Sequence, residues 1–108
     1  MDKNTQRLYE MKAQVLAALA HPIRLAVVDF LAGGEQCVCD IAAHIGCGRP
    51  NLSRHLALML QAGVLDCRKD GLRVLYRLKT PCVSGFLSCV AGVLRGRAKE
   101  HAAVLQAL

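Results

Sequence analysis

The stretch from Arg49 to Lys79 reads RPNLSRHLALMLQAGVLDCRKDGLRVLYRLK, and its two periods decide the fold. Leu52, Leu56, Met59 and Leu60 recur at spacings of three and four, which is one face of a helix. Pro50 suits that helix's first turn and Gly63 stops it, so the helix covers about 49–62. After Gly63 the period drops to two. Val64 to Lys69 and Leu72 to Lys79 read as strands on either side of Asp70-Gly71. Asp-Gly favours a two-residue type I′ hairpin turn. In the second strand Leu72, Val74, Tyr76 and Leu78 share one face, while Arg73, Arg77 and Lys79 share the other.

Working outward, Leu8, Met11, Val15 and Leu19 give a helix over about 5–20, which Thr5 can cap. His21-Pro22 ends it and opens a second helix that buries Leu25, Val28 and Leu31 and stops at Gly33-Gly34. A short helix from about Cys39 to Ile45 ends at Gly46. A glycine-containing bend joins it to the helix from Arg49. Pro81 breaks the second strand, and a last helix covers about 82–106. The order α-α-α-α-β-β-α predicts a mainly α chain with a small β-hairpin. Two helices around a bend followed by a basic hairpin make a winged helix-turn-helix, with recognition helix about 49–62 and wing about 64–79. All of residues 1–108 fit one domain.

The composition agrees. A chain of 108 residues can bury one core, and 54% hydrophobic residues exclude a disordered tail. Aromatics are 4% with no Trp, which excludes a stacking platform for single strands. No apolar run reaches the roughly 20 residues of a membrane span. The polar start Met1 to Gln6 does not read as a signal peptide, so the expected setting is cytoplasmic, without a membrane partner. Of the net charge of +6, residues 48–79 carry +5. That concentration points to a polyanion, here double-stranded DNA. Ser53 and Arg54 lie opposite the apolar stripe of the 49–62 helix, and Arg49 and Asn51 stand in its first turn. Arg pairs with guanine and Asn with adenine in a major groove, while Ser53 and the helix N-terminus can hold phosphate. Arg68, Lys69 and Arg73 would set the wing against the backbone. His55, at the edge of the buried face, reads as a packing residue.

Four segments resemble the ArsR/SmtB repressors. Glu35-Gln36-Cys37-Val38-Cys39-Asp40-Ile41-Ala42 is similar to that family's metal-binding motif, and Pro50-Asn51-Leu52-Ser53-Arg54-His55-Leu56 to its recognition-helix signature. Ala18 to Leu25 matches its early Ala-x-Pro-x-Arg-Leu segment. Gly63-Val64-Leu65, the Arg68-to-Arg73 wing and Tyr76-Arg77-Leu78 continue it. The resemblance covers about residues 13–80. It implies a homodimeric repressor that holds a palindromic operator until a thiophilic metal, a metalloid or an oxidant weakens DNA binding. The first and last helices, about 5–20 and 82–106, would form most of the dimer interface. The last helix supports this independently. Val83, Phe86, Leu87, Val90 and Leu94 give it a broad apolar face, and Gly85, Ser88 and Gly92 would let another helix come close.

The six cysteines stand at 37, 39, 47, 67, 82 and 89. A core-forming composition argues against disulfide staples. No C-x-x-C pair occurs, which removes a zinc ribbon and the usual motif of a thiol enzyme. Cys37 and Cys39 are the strongest candidate ligands. On a regular helix they would point about 200° apart, so they can share one ion only if Cys37 lies ahead of the helix or its first turn distorts. Trivalent arsenic and antimony favour three thiolates. The resemblance places a third cysteine of one branch where Ala42 stands here, and a recognition-helix pair of another where Ala57 and Gln61 stand. Residues 1–36 hold no cysteine. Cys82 and Cys89, seven residues apart on one helix face, are the candidates to complete the site. Cys47 and Cys67 read as bystanders. Soft thiolates favour soft ions, so the expected inducer is As(III) or Sb(III). The alternatives are Cd(II), Pb(II), or a persulfide or oxidant, with no organic cofactor.

Overall fold

Asp2 opens the first helix, its Oδ1 accepting the Thr5 amide at 2.7 Å. The expected cap at Thr5 is therefore corrected: Thr5 supplies the donor that Asp2 satisfies. A computed structural model describes residues 1–107. The order is α1 (Lys3–Ala17), α2 (Pro22–Leu31), β1 (Gln36–Cys37), α3 (Val38–Ile45), α4 (Arg49–Gln61), β2 (Leu65–Asp70), β3 (Arg73–Leu78) and α5 (Cys82–Gln106). His21 caps α2, its Nδ1 accepting the Ile23 amide at 3.1 Å with Pro22 in the first turn. α3 ends at Gly46 with φ +75°, and α4 at Gly63 with φ +82°. The amides of Gly63 and Val64 return to the carbonyls of Leu60 and Met59, which is a Schellman closure.

The core gathers one stripe from each inner element. Val27, Val28, Ile41, Leu52, Leu56 and Met59 are fully buried between α2, α3 and α4, and Val64 and Leu65 join from the start of the wing. Leu25, expected inside, is exposed, and its neighbour Val27 is buried instead. The inner face of α2 is rotated toward Val27, which leaves Leu25 on the groove between α2 and α5.

The sheet has three strands, not the expected two. β1 pairs antiparallel with the free edge of β3, giving the order β1-β3-β2 with Gln36 opposite Tyr76 and Cys37 opposite Leu75. The hairpin turn also differs from expectation. Asp70 pairs with Arg73, so the two-residue loop is Gly71-Leu72. Among residues 70–73 only Gly71 has positive φ, at +64°, which suits a II′ rather than a I′ turn. The slip is two residues in pairing, so the inward and outward alternation of each strand is kept. Leu75 is buried although it lies on the arginine face of β3. No single helix among the described residues is long and apolar enough to cross a membrane.

Candidate nucleic-acid interface and thiol sensor

α4 is held by Leu52, Leu56 and Met59, which leaves its opposite face outward. Arg49, Asn51, Ser53 and Arg54 are all exposed there. Its N-cap is Gly48, which has no side chain to engage the first-turn amides, so these remain available to an anion. Lys69 and Arg73 are exposed near the tip of the hairpin, on either side of Gly71-Leu72. The α4 face and the hairpin tip thus present cations from two consecutive units of the chain.

Arg68 is placed differently from Lys69 and Arg73. Its Nε and Nη2 donate to Glu35 Oε2 and Oε1 at 2.9 and 2.8 Å, a two-bond pairing across 33 residues of sequence. This guanidinium holds the Glu35 carboxyl below its ordinary range. Beside it, Arg77 Nη2 donates to Asp66 Oδ2 at 2.8 Å. The register puts Arg77 and Asp66 in one row of the sheet and Cys37, Leu75 and Arg68 in another, on the same face, which Glu35, just ahead of β1, reaches through its bonds to Arg68. The two ion pairs therefore lie on the face that carries Leu75, and Leu75 retains only 6% of its surface.

The Cys-Val-Cys motif straddles the junction of β1 and α3. Cys37 is the N-cap of α3, with extended backbone at φ −78° and ψ 155°, so it lies ahead of the helix. That is the arrangement under which the 200° objection does not apply. Cys37 is buried and Cys39, in the first helical turn, is exposed. Cys39 has an arginine of α4 as neighbour. Arg49 Nη1 donates to Cys39 Sγ at 3.6 Å. The Arg73 guanidinium is pushed above its ordinary range, first of all by the Cys37 side chain.

The remaining cysteines are all free thiols. Cys82 and Cys89 are exposed in the first half of α5. Cys47, in the helix-turn-helix bend, packs partly against the core, and Cys67 is exposed on β2 opposite Tyr76. Among the described residues no three His, Cys, Asp or Glu side chains converge on one point. The candidate donors are soft sulfur, which fits a thiophilic ion, but among the described residues no third donor converges with Cys37 and Cys39.

Sequence reasoning missed Glu35 as a partner of Arg68 and missed Leu75 as a buried residue. The one available signal was Glu35 at the head of the cysteine motif, an acid with no function of its own assigned.

A basic helix-turn-helix followed by a β-hairpin defines a winged-helix DNA-binding regulator. The family model described as "Bacterial regulatory protein, arsR family" matches residues 21–66. A Mycobacterium tuberculosis protein described as an uncharacterized HTH-type transcriptional regulator is 30% identical over 105 residues, covering 96% of this chain and 92% of that one. The chain belongs to the arsR family, whose members are transcriptional regulators and not enzymes. The arsenical resistance operon repressor of Escherichia coli is 44% identical over 66 residues, covering 60% of this chain and 56% of that protein. Among solved structures, a homodimeric winged helix-turn-helix DNA-binding domain from Mycobacterium bovis superposes with a TM-score of 0.79. Its identity is 28%, over 93% of each chain.

Proposed function

We propose that this protein is a homodimeric repressor that grips operator DNA with α4 and the hairpin and lets go when As(III) or Sb(III) binds Cys37 and Cys39. The contact between Cys39 Sγ and Arg49 carries the reading, because it joins the sensing motif to the first residue of the recognition helix. A ligand on that sulfur takes its lone pair and removes the acceptor that holds Arg49. Arg49, Asn51, Ser53 and Arg54 read and position on the DNA side, with Lys69 and Arg73 on the phosphates and Arg68 beside them. Cys82 and Cys89, both exposed, are the candidates to supply a third ligand, from either protomer of the dimer. The arsenical resistance repressor among the relatives supports a metalloid inducer. The homodimeric relative supports the assembly. So do α1 and α5, neither of which buries a residue within one protomer.

The test is a mobility shift on the promoter fragment of the protein's own gene with arsenite titrated in. Arsenite is expected to release the parent and to leave the Cys37→Ser/Cys39→Ser double variant bound at concentrations at least tenfold higher. Release of both at the same concentration would remove the assignment.

A further inference from the structure

We propose that β1 is the moving part of the switch: for Cys37 to join Cys39 on one ligand, the strand Gln36–Cys37 must leave the edge of β3. This rests on the reading that these two thiols bind the inducer. The argument begins from accessibility. Cys39 is open to solvent, whereas Cys37 retains 6% of its surface. An incoming ligand therefore meets Cys39 first and cannot reach the second sulfur until its cover is lifted.

What covers Cys37 is the wing itself. Cys37 pairs with Leu75 of β3, and Glu35, the residue just ahead of β1, clasps Arg68 of β2. These contacts join β1 and the residue ahead of it to the hairpin, and Cys37, Leu75 and Arg68 lie on one face of one sheet. The attachment is also short. β1 is two residues long and sits at the sheet's edge, so its detachment breaks one small ladder and leaves the β2–β3 hairpin whole.

The chemistry can drive this. Arsenous acid, As(OH)₃, condenses with two thiols: two As–S bonds form and two As–O bonds break. The two thiol protons leave with the two hydroxyl groups as two waters, and no electron is transferred. Closing the second As–S bond is the step that requires β1 to lift. Capture of the ligand is thereby linked to loss of the β1 edge and of the Glu35 clasp on Arg68. The hairpin then loses its fixed position relative to α4, and a DNA surface made of both elements no longer fits both at once.

Hydrogen exchange followed by mass spectrometry on the full chain, with arsenite alone as the probe, tests this. Arsenite is expected to raise exchange in segments 35–37 and 73–76 about tenfold or more, while the helical amides of 52–60 stay protected. Cys37→Ser, which leaves only Cys39 to react, is expected to show no such rise. In Glu35→Gln the clasp is weakened, so β1 is expected to lift more readily. Its half-maximal arsenite concentration, read as added arsenic by native mass spectrometry, should fall about two- to fivefold. Added arsenic with unchanged protection of segments 35–37 and 73–76 would overturn the moving strand while leaving the two-thiol site standing. No added arsenic at all would remove both.

Discussion

His55 stands where α4 meets the start of α2, its ring centroid 4.3 Å from that of His21. Its Nδ1 is buried without a hydrogen-bond partner. Burial lowers the pKa of His55 from its ordinary 6.5, and His21, Arg24 and Arg54 lower it further. A base whose folded pKa lies below its unfolded value is neutral in the fold and takes up its proton more readily when unfolded. Its stabilising effect is therefore full above about 6.5 and is lost as the pH falls below that value. The Asp2 and Glu35 carboxyls are also lowered, Asp2 by the Thr5 amide and Glu35 by Arg68, but they act only in the more acid range. Thermal unfolding measured from pH 7.5 to 5 is expected to show Tm falling through this window, and falling less in His55→Gln. Equal slopes in the two proteins would mean that His55 contributes nothing to acid sensitivity. The reading of His55 as packing, made from its place at the edge of the stripe, is refined by the structure: it packs against another histidine.

At the scale of elements, the helices were legible because each repeats its apolar stripe locally. Leu52, Leu56 and Met59 predict α4 without any knowledge of what they touch. β1 was not legible. Gln36-Cys37 has no period, and it is a strand only because β3 offers a free edge almost forty residues later. Leu75 was missed for the same reason, since its burial on the arginine face of β3 comes from tertiary packing and not from the local alternation. The turn was off by one residue because Asp-Gly is a strong local signal and the cross-strand pairing of Asp70 with Arg73 overrides it. For the candidate site, residue types and spacing revealed the exposed cations and the two thiols, whereas their pairing with each other is tertiary. That pairing separates the wing cations. Lys69→Ala or Arg73→Ala should each flatten the plot of log Kd against log salt on a random-sequence duplex by about 0.9, one phosphate contact each. Arg68→Ala should flatten it by less than half that, because Glu35 already engages Arg68. Anisotropy titrations between 50 and 200 mM salt, roughly the range where such slopes are read, give all three values. A slope change for Arg68 equal to that for Lys69 would show that DNA displaces Glu35.

The chain is more extended than a compact domain of its length. Its radius of gyration is 17.3 Å, against about 13 Å for a compact domain of this length. The excess is in α1 and α5, whose apolar faces carry Leu8, Met11 and Leu16 on one and Phe86, Val90 and Leu94 on the other, all exposed. Such a surface in a chain this short is what a symmetric partner would cover. In a two-fold interface each residue occurs twice, so a single substitution is felt twice. Burying one Leu side chain stabilises by roughly 2 kcal/mol, so replacing it at both copies costs about 4 kcal/mol, or on the order of a thousandfold in dimer dissociation. Leu94→Asp adds a buried charge to that loss. Sedimentation equilibrium is expected to show the parent as a dimer and Leu94→Asp as a monomer at micromolar concentration. Its helical circular dichroism should be retained, because Leu94 lies outside the α2–α4 core. DNA binding should weaken in step, since one protomer would then grip one half-site alone. A Leu94→Asp protein that remained dimeric would move the interface off α5 and leave the apolar face of α1 as the surface to test next.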